Sequence, residues 1–363
     1  MKIDKKQICM LLFAIIPASK FLILPTVYAH FARQDAWLAG LTNFLLDGFL
    51  LAVMLLIIKK FDGITLYDLL TERIGKWFAN GVFVLYALFF ILKAAVPLLE
   101  QRTFIEITLY ETSPTIINFL PFFLVCFYFC IKGINAMART GEIIFWSTLA
   151  GMALIFFLSA GTAELYYLMP ILKNPVKQTF TGIYNGAMWY GQPIILLFLM
   201  GKIKKDKRFN LSVALSFTAA ALTCVLTFVI FTGIYGDVAV RQIYSLTKMT
   251  KYSIALSNVG RLDYIATLFI AASSVLSLSV PLIFATDCLK TVFPLKRGWI
   301  IPLGVTLAML IFTCVFHTRF KATVDFFEKF FTPVMILLVY ALPIALLFFK
   351  KEKKCNGLLK ASS

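Results

Sequence analysis

Residues 8–30 form an apolar run long enough to cross a bilayer, yet a lysine stands near the middle. The centre reads Pro17-Ala18-Ser19-Lys20-Phe21-Leu22-Ile23-Leu24-Pro25. About 20 mainly apolar residues span the hydrocarbon core as a helix. A charge at mid-depth costs about 2.5–3.5 kcal/mol on insertion scales, so such groups persist where they face a cavity or a partner. Pro17 and Pro25 each lack a backbone donor and weaken the helix on either side of Lys20. Freed backbone at that depth is tolerated only when buried in protein or lining a polar cavity. The pattern predicts a binding site in a polytopic membrane protein, not a plain anchor.

Composition supports that class. Of the 363 residues, 60% are hydrophobic and only 15% charged, yet the net charge is +17, so the charges must be sorted into loops. The 37 phenylalanines suit lipid-facing surfaces. No polar stretch is long enough for a second domain, so a single transmembrane domain is expected over 1–363. A cleavable signal peptide is not expected, because the first apolar run is too long and lacks a small-residue cleavage site. The seven cysteines form no pattern; Cys126 and Cys130, one helical turn apart, have no His or carboxylate beside them and read as packing residues. His30 and His317 are the two histidines, and there is no G-x-S-x-G or phosphate loop. No enzyme, cofactor or metal site is expected.

Ten apolar segments can be drawn: 8–30, 36–58, 78–105, 115–131, 142–163, 181–200, 211–235, 262–289, 298–316 and 327–349. With the N-terminus placed inside, 22 of the 35 Lys and Arg fall on the cytoplasmic side. They lie near the N-terminus, in the loops at 59–76, 132–139, 202–208 and 290–297, and in the tail at 350–363. Ten, including Arg33, Arg102, Lys173, Lys248, Arg261 and Arg319, fall opposite. The bias places both termini in the cytoplasm. The basic 202–208 loop could also bind anionic lipid or nucleic acid; orientation is the simpler reading.

Ten segments divide into two sets of five, about 8–163 and 181–349. An odd number per half inverts the second half, the arrangement of transporters whose site lies between discontinuous helices. Segment 6 should then break like segment 1. Its stretch Gly182-Ile183-Tyr184-Asn185-Gly186-Ala187-Met188-Trp189-Tyr190-Gly191-Gln192-Pro193 carries three glycines and a proline. Four charges form a candidate intramembrane network. Asp47, one turn from Asn43, could neutralise Lys20 or Lys93 across helices. Glu100 lies about two turns from Lys93 on the same face, where the two could form a structural ion pair. A charged Lys20 could stand where related carriers hold sodium; a neutral one could bind and release protons. Ser273, Ser274, Ser277 and Ser279 on segment 8 serve close helix packing, and Ser274 and Ser277 could line a pocket.

Several local patterns resemble the spore germination permeases, the B subunits of endospore germinant receptors. They are Leu109-Tyr110-Glu111-Thr112-Ser113-Pro114 before segment 4, and Gly133, Arg139 and Glu142 in the loop after it. Met169-Pro170-Ile171-Leu172 before the glycine-rich sixth segment and Gly260-Arg261-Leu262-Asp263 before segment 8 are also similar. The family belongs to the amino acid–polyamine–organocation superfamily, so the resemblance implies an all-α, ten-helix LeuT-type 5+5 inverted repeat with helices 1 and 6 broken. The chain departs from it at Ser19-Lys20, where glycine is common, and at Gly191-Gln192, where Gly-Glu is common. Both departures make the pocket less acidic.

The resemblance implies a nutrient-sensing subunit in the spore inner membrane, working with a membrane-anchored A subunit and a lipid-anchored C subunit. A small nutrient, taken as an amino acid, is expected between segments 1, 3, 6 and 8. Ala18, Ser19, Lys20 and Phe21 would meet it from the first break. Tyr184, Gly186, Trp189, Tyr190 and Gln192 would do so from the second, and Ser274 and Ser277 from segment 8. The helix N-terminus after the first break would hold its carboxylate. The competing expectation is an autonomous amino acid carrier.

Overall fold

The computed structural model describes residues 3–108, 115–159, 161–170, 175–242, 263–316 and 320–349. The turn at 109–114, Ile171-Leu172, Gly260-Arg261-Leu262 and the basic tail at 350–363 lie outside the described residues. So do Lys173, Lys248, Lys251 and Arg319. Among the described residues the chain is helical, with one isolated bridge between Ile3 and Ile203.

The helices are α1 (Lys5–Ala18), α2 (Leu24–Ala32), α3 (Ala36–Lys60), α4 (Leu66–Ile74), α5 (Lys76–Thr108), α6 (Thr115–Lys132) and α7 (Ile134–Ser159). After them come α8 (Val176–Gly186), α9 (Ile195–Leu199), α10 (Phe209–Tyr235), α11 (Asp263–Val292), α12 (Ile300–Phe316), α13 (Phe320–Met335) and α14 (Leu342–Leu347). Among the described residues, six stretches are long and apolar enough to cross a membrane: Leu24–Lys60, Lys76–Phe104, Ile134–Ser159, Phe209–Arg241, Ala271–Val292 and Lys329–Leu347. Leu120–Lys132 and Ile300–Phe316 are shorter apolar helices.

The longest of these, Leu24–Lys60, is not one rod. Asn43 Nδ2 donates to Tyr28 OH at 2.8 Å, and 15 residues of straight helix would separate them by about 22 Å. The chain folds back at Arg33, whose φ of 49° is unusual for a non-glycine residue, so α2 packs against α3.

The first break falls where Pro17 and Lys20 predict it. Helix α1 ends at Ala18, and Lys20 N and Phe21 N both turn back to Pro17 O, at 2.9 and 3.2 Å. Helix resumes at Leu24 with Pro25 in its first turn, where a missing N–H costs nothing. The second break is longer. Helix α8 stops at Gly186, a 3₁₀ turn covers Ala187–Trp189, Tyr190 is extended, and Gly191 adopts φ +85°. Glycine fits there for two reasons: a side chain disfavours that φ, and a Cβ would lie 3.0 Å from Val339 Cγ1. A second 3₁₀ turn, Gln192–Ile194, leads into α9.

Every residue from Leu11 to Ala18 is buried, because α7, α10 and α11 surround α1. A helix apolar on all sides is one buried on all sides. Helix α11 also packs along α5, and α8 packs on α2 and α3.

Three features differ from the sequence reading. Helix α7 begins at Ile134 instead of 142, because Gly133 alone (φ +75°) turns the chain after α6. Arg102, assigned to an outer loop, is buried on α5. Residues 59–77 hold helix α4, capped by Thr65, whose Oγ1 accepts from Asp68 N at 3.2 Å; Leu66, Leu69 and Leu70 are its buried side.

The basic 202–208 loop is a hub of ion pairs. Lys202 meets Asp287 at 3.1 Å, Lys204 meets Asp4 at 3.7 Å, Lys205 meets Asp62 at 2.7 Å, and Lys5 meets Asp206 at 2.8 Å. Together with the Ile3–Ile203 bridge these tie the N-terminus to the loop. Exposed pairs of this kind contribute about 0–1 kcal/mol each.

Candidate functional site

The two breaks meet. Lys20 is fully buried, and its Nζ donates to Gln192 Oε1 at 2.8 Å and to Ser19 Oγ at 3.4 Å. It also sits 4.6 Å from the centre of the Tyr190 ring and 5.5 Å from that of Phe44. Buried cations over aromatic faces are stabilised by the ring quadrupole. Gln192 uses its other end as well: Nε2 donates to Ser19 Oγ at 2.9 Å and to Trp189 O at 2.7 Å. Ser19 passes its own proton to Ile16 O at 3.0 Å. One amide therefore joins the first break to the second.

The remaining intramembrane charges end on the same unwound segment. Asp47, from α3, takes Gly191 N–H with both oxygens, at 2.9 and 3.0 Å, and accepts from Tyr340 OH at 3.0 Å. Lys93, from α5, donates to Met188 O at 2.7 Å and to Tyr190 O. Glu100, two turns further along α5, accepts from Trp189 Nε1 at 2.7 Å.

The sequence allowed direct pairing of Asp47 with Lys20 or Lys93, and of Lys93 with Glu100. Among the described residues no such ion pair forms. Lys20 and Lys93 are through-space Coulomb neighbours of Asp47, while their hydrogen bonds go to the break. The physical reason is competition. Unwound backbone leaves N–H and C=O groups that must be satisfied inside the membrane, and a charged side chain is their strongest partner.

Beside this network lies a cavity of about 40 Å³, room for about three water molecules. Its polar lining is Ser19, Lys93, Gly191, Gln192 and Ser277, with Trp189 at its edge. Apolar walls come from Ile15 of α1, Phe89, Phe90 and Val96 of α5, Ile195 of α9 and Phe331 of α13.

The residues singled out from the sequence divide into groups. Ser19, Trp189, Gln192 and Ser277 line this cavity. Lys20 and Tyr190 stand behind it as a cation–ring pair. Ala18 and Phe21 face a separate void of about 10 Å³ with Thr148, Phe269 and Ser273. Gly186 lies against Tyr28, where a Cβ would come within 2.3 Å of the ring. Tyr184 is 42% exposed. Ser274 receives Gln101 Nε2 and gives its carbonyl to Ser277 Oγ.

Tyr28, Phe44, Gln101 and Tyr340 belong to the network but were not read from the sequence. No local signal marks them; each is an ordinary aromatic or polar residue on a helix until its neighbours are known.

A profile of the family described as spore germination proteins (spore permeases) matches residues 2–352. Among curated proteins the chain is similar to Spore germination protein KB of Bacillus subtilis (strain 168), 21% identical over 325 residues, 88% of this chain and 86% of that one. Spore germination protein YndE of the same organism is 23% identical over 211 residues, 57% of each chain. Spore germination protein A2 is 22% identical over 202 residues, 55% of this chain and 54% of that one. A match across nearly the whole length, on a chain of apolar helices with buried charges, makes this a multi-pass membrane protein that belongs to the spore germination protein family.

Proposed function

We propose that this chain is the membrane subunit of a nutrient germinant receptor, in which a small ligand bound between the two broken segments triggers spore germination. The observation that carries the reading is the Lys20–Gln192 contact of 2.8 Å, which links the breaks beside a central cavity. A ligand that alters this contact changes how the two segments sit against each other. It shifts the equilibrium only by its difference in affinity for the two arrangements.

The proposed architecture is ten spans in a LeuT-type 5+5 inverted repeat. Segments 1 and 6 would be the broken pairs α1/α2 and α8/α9, with α6 and α12 as short spans. Support comes from the position of the two breaks, five segments apart, with their charges at the junction. The excess of Lys and Arg on one side supports cytoplasmic termini. The spore inner membrane and the A and C partner subunits follow from the family resemblance. The amino acid expected from that resemblance would find a partner for its carboxylate in Lys93.

The test is a strain lacking this gene, assayed for germination with single nutrients, alongside the purified protein in liposomes with radiolabelled amino acids. Loss of the response to one nutrient, with no accumulation of amino acids in the vesicles, is the expected result. Concentrative uptake by the isolated chain would instead make it an autonomous carrier. Normal germination of the deletion strain on every nutrient would sink the receptor reading.

A further inference from the structure

The lining of the central cavity carries information about the ligand's charge. Among the described residues, Lys93 is its one charged lining residue, and no Asp or Glu lines it. The Lys93 ammonium has three N–H donors, of which two go to Met188 O and Tyr190 O. The third remains for a ligand.

A ligand ammonium would find no equivalent. The carbonyls of the break each already accept a hydrogen bond, Met188 O and Tyr190 O from Lys93 and Trp189 O from Gln192, and what they have left is a neutral lone pair without a countercharge. Gln192 Oε1 is held by Lys20. Asp47 is turned to Gly191 N–H and Tyr340, and Glu100 to the Trp189 indole. Ser277, whose proton goes to Ser274 O, offers a neutral lone pair but no countercharge.

The charges near Gly191 point the same way. Lys20, Lys93 and Asp47 are Coulomb neighbours, two basic groups to one acidic, in a buried setting. Away from Lys93, Ser19, Gly191, Gln192 and Ser277 the walls are aliphatic and aromatic. A buried charge needs a compensating partner, and apolar walls favour an apolar body.

Resting on the receptor reading above, we propose that the cavity takes a short apolar monocarboxylate, held through Lys93, and selects against ligands that carry an ammonium group. An amino acid would bind with its carboxylate matched and its ammonium uncompensated. The volume of about 40 Å³ limits the tail to a few carbons unless the breaks move.

The experiment uses the full-length protein in lipid nanodiscs and three probes related by deletion: propionate, alanine and ethylamine. Calorimetry or a radioligand assay reads their affinities. Propionate is expected to bind saturably and at least about tenfold more tightly than alanine, since an unmatched buried charge costs more than one ordinary hydrogen bond. Ethylamine should not compete. Lys93→Gln should weaken propionate at least about tenfold, and Ser277→Asp, which brings a carboxylate into the cavity, should move the preference toward alanine.

Alanine binding as tightly as propionate, competition by ethylamine, unchanged propionate affinity in Lys93→Gln, or no binding by any probe would each overturn the proposal. The wild-type comparison needs no variant to fold. Tight alanine binding that disappears in Lys93→Gln would remove this ligand class and leave the receptor reading standing. Normal germination of the deletion strain would remove the receptor reading whatever the cavity binds.

Discussion

Replacing Lys20 by Met and Gln192 by Leu, singly and together, measures how strongly the two breaks are coupled. Lys20→Met keeps most of the stem and removes the ammonium. Gln192 Oε1 then loses its donor, while Nε2 keeps Ser19 and Trp189 O. An orphaned buried carbonyl costs about 1–3 kcal/mol. Gln192→Leu is harsher. It leaves a fully buried ammonium with Ser19 Oγ at 3.4 Å and the Tyr190 ring at 4.6 Å, and it strips the donor from Trp189 O. A buried charge deprived of its partner costs about 3–5 kcal/mol. The double variant removes both ends of the contact, so it should fall short of the sum of the singles by about 1.5–3 kcal/mol, the worth of a hydrogen bond to a charged group. Equilibrium unfolding in mixed micelles, run on all four proteins, gives the cycle. Additivity within about 0.5 kcal/mol, or Lys20→Met costing more than Gln192→Leu, would refute the claim that this contact couples the breaks.

Two further outcomes follow from the geometry. Gly186→Ala places a Cβ 2.3 Å from Tyr28 Cε1, and that ring is held by Asn43 at its hydroxyl and by Phe228 at 5.4 Å; overpacking of about 1–3 kcal/mol should lower the thermal midpoint of the purified protein, and an unchanged midpoint would mean that α8 shifts freely. In the basic loop, hydrogen bonds from the Lys5 ammonium and the Lys207 N–H hold the Asp206 carboxyl below the usual aspartate range. A depressed carboxyl contributes at pH above its unfolded value and loses that contribution as pH falls through the folded one. Lys5→Ala should therefore raise the Asp206 midpoint in a carboxyl ¹³C titration, with the difference shrinking in 1 M salt.

The parts of this site that could be read in the sequence are those written in backbone chemistry. Pro17 and Pro25 flank Lys20, and Gly186, Gly191 and Pro193 punctuate segment 6; the helix stops at both places because of those residues. Helix α4 was also legible in principle, since Thr65 followed three residues later by Asp68 is a cap pattern before an apolar run. The reversal at Arg33 falls in the gap between the segments drawn at 8–30 and 36–58, although no glycine or proline marks the turning residue itself. The partners of the charges were not legible. A sequence displays four ionisable side chains and invites pairing among them. The carbonyls of Met188, Trp189 and Tyr190 and the N–H of Gly191 become available only once the helix unwinds, and they carry no letter of their own.

That omission bears on how a ligand could be felt at a distance. The segment from Met188 to Gln192 is held by Lys93 and Glu100 of α5, by Asp47 of α3 and by Lys20 at the other break. Each contact is made by an ionisable side chain inside the bundle, where giving it up without another partner is costly. A change at the cavity that pulls Lys93 toward a ligand must therefore be answered at Met188 O and Tyr190 O, in the same short segment that holds Asp47 and Lys20. Motion is then shared among α1, α3 and α5 or it does not occur. A segment bound in this way favours two discrete arrangements over gradual yielding, which is what the proposed receptor reading requires.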